Sequence, residues 1–482
     1  MHFPNRIYGL EFEYGVMSQN TSGVFATFNE SEEQQILGLI TRPINNSILS
    51  TFRVRLWHTN GSCSYVDTGN HPEHATAECL SIRDAVTCAK AGDILMNRIL
   101  ARTCPSDKKI HLFKNNLAFN DIAQRYFSYG CHENYHIANK SLYVHALVPF
   151  LITRQIIDGA GWWHKDPLTT DVSYSLSQRA LIIEREISGS TVQDRGILNN
   201  KETTDTGPAP RLHLILGDSN ILEFAMYLKL GTVSLVLALI EGGKVPCIPL
   251  LDSVGTLRKI ALNGDPLNPC IGQTPEDNKS PFDVQTIYLE AARKELATGT
   301  FGSEETEAEL KHVALCWEQA LNALYNRDIK WMLGRIDYAT KKYLADQEIR
   351  RKNITDSSEA YSFKKDFDIF YHNVTQTALQ KRMNEKWADR RIITDAEIER
   401  ASIEPPHNTR ATLRSQFINM TIDHHLTNHI SLDWDHCRST KNPLANFNLT
   451  DPFLYESADF KEFLCSFPTV SKETPSPTYD GY

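Results

Sequence analysis

The sequence predicts an α+β fold in which a largely antiparallel sheet is flanked by helices. Two observations carry this expectation. Short alternating segments and longer helical patterns are interleaved without strict βαβ order, and after Gly302 the pattern turns helical.

From Arg6 to Val16, Leu10, Phe12 and Tyr14 alternate with Glu11 and Glu13, so a half-buried strand would hold both carboxylates on one face. A polar loop with Asn20, Asn45 and Asn46 follows, and a second alternating run, Cys63 to Asp67, projects Cys63, Tyr65 and Asp67 together. Ser81 to Arg102 reads as a helix capped by Ser81 or Asp84. His111 to Asn116, Tyr143 to Ile152 and Arg211 to Leu216 read as strands, the last placing Arg211 and His213 opposite its leucines. Leu228 to Ile240 reads as a buried helix closed by Gly242 and Gly243. Glu305 to Leu344 has apolar residues at spacings of three and four, and a charged run, Glu348 to Asn353, follows it. Pro405-Pro406 cannot continue a helix and marks a hinge, dividing a catalytic region, 1–404, from a small C-terminal domain, 405–482, with a loose tail from Lys472.

Composition narrows the function. The 482 residues are 41% hydrophobic and 10% aromatic, as in a globular enzyme. Fifty basic against fifty-nine acidic residues give a net charge of −9, which argues against nucleic acid as a partner. No membrane role is expected, because the charge-free run Leu230 to Ile240 falls far short of the ~20 residues a span needs. The ten cysteines form no CxxC pair, and Met1 to Tyr8 has no signal-peptide pattern, so reduced thiols in a cytoplasm are expected.

Chemistry concentrates in Tyr65, Asp67, His71, Glu73, His74, Thr76 and Glu78. Oxygen-rich sets suit Mg²⁺, which fits Glu11, Glu13, Glu73 and Glu78 better than zinc fits the two histidines. A solvated, salt-bridged loop would have the same composition. Cys131 beside His132 invites a nucleophile reading, but neighbours on a strand point to opposite faces, so that dyad is geometrically poor. Arg211 aimed into an acidic site would neutralise a transferring phosphoryl group. No GxxxxGK[ST] occurs, so any ATP is held without a P-loop. His424, His425 and His429 read as surface histidines, and Trp434 between Asp433 and Asp435 is a weak signal by itself.

Taken in order, the motifs resemble the Pup ligase and Pup deamidase family. They are Arg6-Ile7-Tyr8-Gly9-Leu10-Glu11-Phe12-Glu13-Tyr14-Gly15, Asn60-Gly61, Tyr65-Val66-Asp67, His71-Pro72-Glu73-His74-Ala75-Thr76-Ala77-Glu78, Leu112 to Asn116, Tyr129 to Tyr135, Leu176-Ser177-Gln178-Arg179, Arg211 to Asn220 and Thr409-Arg410-Ala411. The resemblance implies a glutamine synthetase-like catalytic domain with ATP and Mg²⁺ as cofactors. It makes Glu11, Tyr65 and Glu73 the metal ligands, Thr76 and Trp434 ATP contacts, and Asp67 the catalytic base. It implies a ligase that phosphorylates the C-terminal glutamate γ-carboxylate of a Pup-like protein modifier and joins it to lysines of acceptor proteins. The family's other branch, a deamidase that also removes the modifier, carries a long extra loop between the glutamate and aspartate strands. Here Glu11 and Asp67 lie only 56 positions apart, and Cys131 stands where deamidases tend to have serine, so the ligase branch is expected. A non-catalytic homologue and a small-molecule carboxylate–amine ligase are the rival readings. Two departures stand out. Cys63 replaces a nucleotide-contacting arginine, and Asn199 to Asp205 keeps one basic residue of the family's Asn-Thr-Arg-Asp-Glu-Pro-His stretch, which points to a divergent modifier or a divergent grip on it.

Overall fold

The computed structural model describes residues 1–19, 25–26, 55–67, 69, 71–103, 109–120, 125–138, 144–165, 171–200, 210–272, 278–375, 377–424, 426, 430–442 and 444–467. The loop around Asn20, Asn45 and Asn46, the Lys201 to Asp205 stretch, His425, His429 and the tail from Lys472 lie outside the described residues.

The architecture is the expected α+β fold, organised on an eight-stranded sheet. Its strands are β1 (Tyr8–Glu13), β2 (Arg55–Trp57), β3 (Cys63–Val66), β4 (Pro72–Ala75), β5 (Cys131–His136), β6 (Arg185–Ser188), β7 (Gly196–Asn199) and β8 (Arg211–Leu214). The spatial order is β6-β7-β8-β5-β1-β4-β3-β2. Every neighbouring pair is antiparallel except β6 with β7. The alternation predicted for Arg6 to Val16 holds through Tyr14, which joins Leu10 and Phe12 in the core and donates its hydroxyl to Asp93 at 3.0 Å. The chain beyond it, Gly15–Gln19, pairs with Lys109–Phe113 in a separate sheet.

One face of the large sheet is apolar and covered by helices. Leu10, Phe12, Tyr135, Leu212 and Leu214 point into a core shared with α1 (Ile82–Thr103), α2 (Val144–Asp158) and α3 (Glu223–Glu241). Ser81 caps α1 by accepting the Asp84 N–H at 3.0 Å. Helix α3 is buried along nearly its whole length, and it ends as the Lys244 N–H reaches back to the Leu239 carbonyl at 2.8 Å with Gly243 at φ 64°. It is the one helix among the described residues long and apolar enough to cross a membrane, and it is 100% buried.

Two expectations need correcting. Of Tyr143 to Ile152, read as a strand, the described residues from Val144 on belong to helix α2. Residues 147–158 are buried on every side, so no polar stripe reveals the helical period, and the β-branched and aromatic content imitates a strand. Glu305 to Leu344 is three helices rather than one continuous stretch: α4 (Glu304–Tyr325), a single turn at Ile329–Met332, and α5 (Asp337–Arg351). Left-handed backbone at Arg327 (φ 52°) and Gly334 (φ 74°) separates them.

A second hydrophobic cluster closes over the β2–β3 edge. Leu413, Phe417 and Ile418 of α6 (Arg410–Asp423) pack there with Leu432, Cys437, Phe460 and Phe463 against Trp57 and Cys63.

Under the sheet, His74 hydrogen-bonds Ser64 Oγ at 2.9 Å and is fully buried. Burial, followed by the His58 and Lys114 charges, holds its pKa well below the usual 6.5. The folded value lies below the unfolded one, so the unfolded chain takes up the proton first as pH falls. Stability is complete above the unfolded pKa and is lost below it at about 1.4 kcal/mol per pH unit. His74→Gln is expected to flatten the fall of unfolding free energy between about pH 6.5 and 5 by about one proton. An unchanged slope in urea titrations would show that His74 is not one of the groups responsible.

Candidate active site

The opposite face of the sheet is polar, and its register sets side chains in rows. Arg55 pairs with Tyr65, Tyr65 with Glu73, and Glu73 with Glu13. Paired residues of an antiparallel ladder project to the same side, so one row reads Arg55, Tyr65, Glu73, Glu13. The adjacent row reads Trp57, Cys63, Ala75, Glu11, His132. Ala75, between Cys63 and Glu11, is the small residue of that row, and both it and Cys63 are buried. A third row adds Gly9, Asn134, His213 and Asn199.

Such crowding of carboxylates is costly unless cations or donors offset it. For Glu11, burial works against the charge. His132 at 3.2 Å, Asn134 at 3.2 Å, Arg211 at 3.5 Å and His213 at 3.8 Å outweigh it and hold the acid well below the carboxylate range. Burial likewise opposes the charge of Glu13, but His71 at 3.1 Å, the charge of His132 and the Gly130 N–H at 2.7 Å bring it down to about 2. Glu73 has no such support. Burial, then repulsion from Glu11, Glu13 and Asp67, raises it well above its ordinary value, and the Tyr65 hydrogen bond only partly compensates. Tyr65 is raised as well, by burial first and then by Glu73 and Glu11.

Asp67 sits just beyond β3. The His71 N–H donates to its Oδ1 at 2.7 Å, while the His71 ring leans toward Glu13 and lies tilted against Tyr129, 4.7 Å between ring centres. Burial and the Glu13 charge push Asp67 above the usual aspartate value despite the His71 and Gly69 N–H groups. A carboxylate moved toward neutrality is better matched to accepting a proton.

The sequence-derived candidates fall into three groups. Glu11, Tyr65, Glu73 and Asp67 come together on this face, and Arg211 joins them through Glu11. Thr76 lies at the end of β4, buried, its hydroxyl accepting the Leu10 N–H at 3.0 Å. Trp434 lies on the hairpin of the second cluster, its ring 4.8 Å from that of Trp57, with the Arg414 guanidinium 4.7 Å from its centre. The tightest donor sets are Glu11 with His132 and His213, and Glu13 with Asp67 and His71, whose atoms lie within 4.8 Å of one another. Cys131 lies on the helix-covered face, fully buried, so it forms no dyad with His132.

Glu78 corrects the sequence reading: it is not a cation ligand. Past β4 the chain stays bonded to β1 at Thr76 and Cys79, and between them Glu78 is taken by two arginines, Arg410 at 2.7 Å and Arg414. Burial opposes its charge, but these guanidiniums bring it down to about 2. Arg414 also donates to the Gly61 carbonyl at 2.9 Å and the Trp434 carbonyl at 3.2 Å, so Glu78 holds the Trp434 hairpin through it. Glu78→Ala leaves a buried guanidinium uncompensated and is expected to cost about 3–5 kcal/mol in urea unfolding. A loss below about 1 kcal/mol, the range of an exposed pair, would contradict a buried clamp.

Sequence reasoning missed Arg55, Asp433 and Arg414. For Arg55 the signal was present: Asn60-Gly61, with Gly61 at φ 80°, is a hairpin turn between two alternating runs.

Sheet, carboxylate rows and tryptophan platform together define an enzyme of the carboxylate–amine ligase class. A family model described as Pup-ligase protein matches residues 6–438. A Pup–protein ligase of Acidimicrobium ferrooxidans is 32% identical over 96% of this chain and 98% of its own length. One from Rothia mucilaginosa is 31% identical over 95% and 96%. Among solved structures, the complex of the ligase PafA with the prokaryotic ubiquitin-like protein Pup superposes with a TM-score of 0.82 at 27% identity, covering 95% of this chain and 92% of that one. PafA bound to ADP gives 0.72 at 28% identity, covering 91% and 94%. The chain belongs to the Pup ligase family.

Proposed function

We propose that this chain uses ATP to phosphorylate the γ-carboxylate of a C-terminal glutamate on a Pup-like modifier and joins that glutamate to substrate lysines. The observation that carries the site assignment is the row Tyr65, Glu73, Glu13 beside Glu11, in which Glu73 has no counter-charge among the described residues. Oxygen donors that repel one another fit a hard divalent cation. Glu11, Tyr65 and Glu73 would hold Mg²⁺, with Glu13 as a further donor. When bound, Mg²⁺ offsets the charge of the triphosphate.

The chain's own residues do the rest. Trp434, held by Arg414 and Glu78, offers a ring to the base of ATP, and Thr76 is the second nucleotide contact. Arg211, beside Glu11, faces the oxygens of the transferring phosphoryl group. Transfer to the modifier's carboxylate gives an acyl phosphate and ADP. The lysine amine attacks its carbonyl, Asp67 takes the amine's proton, and phosphate leaves with the electrons of the broken C–O bond.

Trp434 is assigned to a small C-terminal domain, 405–482, whose described residues share a second hydrophobic cluster with Trp57 and Cys63 of the sheet edge. The nine described cysteines are free thiols, which suits a reducing cytoplasm. The test is incubation with ATP, Mg²⁺, a Pup-like peptide ending in Glu and a lysine-bearing acceptor. ADP release with a mass gain on lysine is expected. Ammonia release from a Gln-ended peptide without ligation would instead assign the deamidase reaction.

A further inference from the structure

Cys63 faces the site side of β3 two residues before Tyr65, yet its thiol contributes nothing to binding a polyanion. It is fully buried against Trp57 and Leu413, and burial pushes the thiol far up and keeps it neutral. A cation stands one strand away. Arg55 on β2 is the direct cross-strand partner of Tyr65, so the two side chains leave the sheet side by side. Its guanidinium lies 6.0 Å from the Tyr65 ring centre and is paired with Asp433. The same Asp433 oxygen accepts the Trp434 N–H at 2.8 Å. One side chain therefore connects the Tyr65–Glu73–Glu13 row with the tryptophan hairpin.

A nucleotide whose base rests on Trp434 and whose phosphates reach Tyr65 and Glu73 has to pass Arg55. The present partner is easily exchanged. Arg55 is 22% and Asp433 36% exposed, and wetted ion pairs contribute little to stability. Phosphate oxygens offer the guanidinium the same two-pronged acceptor geometry with more negative charge.

We propose that Arg55 is the phosphate-binding arginine on this edge of the site, exchanging the Asp433 carboxylate for phosphate oxygens when ATP enters. The inference rests on the ATP-binding reading above and adds to it a residue that Cys63 does not supply.

The test is titration of the full chain with ATP and with AMP, each with Mg²⁺, for wild type, Arg55→Met, Arg55→Lys and Asp433→Asn. Arg55→Met is expected to weaken ATP by about tenfold or more and AMP by less than about twofold, with Arg55→Lys in between. Asp433→Asn keeps an acceptor for the Trp434 N–H and removes the competing charge, so ATP binds more tightly. Equal weakening of ATP and AMP by Arg55→Met, or no weakening of either, overturns the assignment, as does weaker ATP binding in Asp433→Asn. Wild type that binds ATP but forms no lysine adduct refutes the ligase reading and leaves Arg55 standing on these titrations. Wild type that binds no MgATP overturns both.

Discussion

Asp67→Asn is expected to lower lysine ligation at neutral pH by at least about a hundredfold, the usual contribution of a positioned general base. A protonated lysine has no lone pair with which to attack, and lysine is mostly protonated at this pH. The amide oxygen of the substituted side chain still accepts the His71 N–H, so the loop holding His71 against Glu13 and Tyr129 persists. ATP binding and the melting temperature should therefore be close to wild type, separating loss of the proton acceptor from loss of the site. Ligation retained within about tenfold would remove Asp67 from its role.

Glu73→Gln is also expected to preserve the fold, but with a lost metal function. Burial and three neighbouring carboxylates already push Glu73 toward its neutral form, so the neutral amide is close in charge and shape to what the cation-free protein favours. The melting temperature should stay within about 2 °C of wild type or rise. Ligation should fall by about a hundredfold or more, because a loss of about 3 kcal/mol in stabilisation at the triphosphate is two powers of ten in rate. Mg²⁺ titration would show a raised requirement. A variant with normal Mg²⁺ dependence would take Glu73 out of the metal site.

Much of this site was legible because strand alternation is a local property. Glu11 and Glu13 on one face, and Tyr65 on the face of Cys63, follow from period two alone, and the register merely brings those faces together. The turn chemistry around α1 and the buried character of α3 were equally local. What sequence could not supply were relations between distant segments. Glu78 read as a metal-site acid until Arg410 and Arg414, more than three hundred residues later, claimed it. Helix α2 read as a strand because a helix buried all round has no polar face to betray its period. Cys63 read as a lost contact because Arg55 is set beside Tyr65, two residues further on, only through the hairpin register.

On the proposed mechanism, this carboxylate face activates a carboxyl group as an acyl phosphate before a lysine attacks. A Pup-like peptide whose C-terminal γ-carboxylate carries heavy oxygen, supplied with ATP, Mg²⁺ and a lysine acceptor, reports that order of events in its products. ADP, a lysine adduct and one heavy oxygen in each released phosphate are expected. A lysine adduct accompanied by AMP, or by phosphate free of the label, would contradict the acyl-phosphate route.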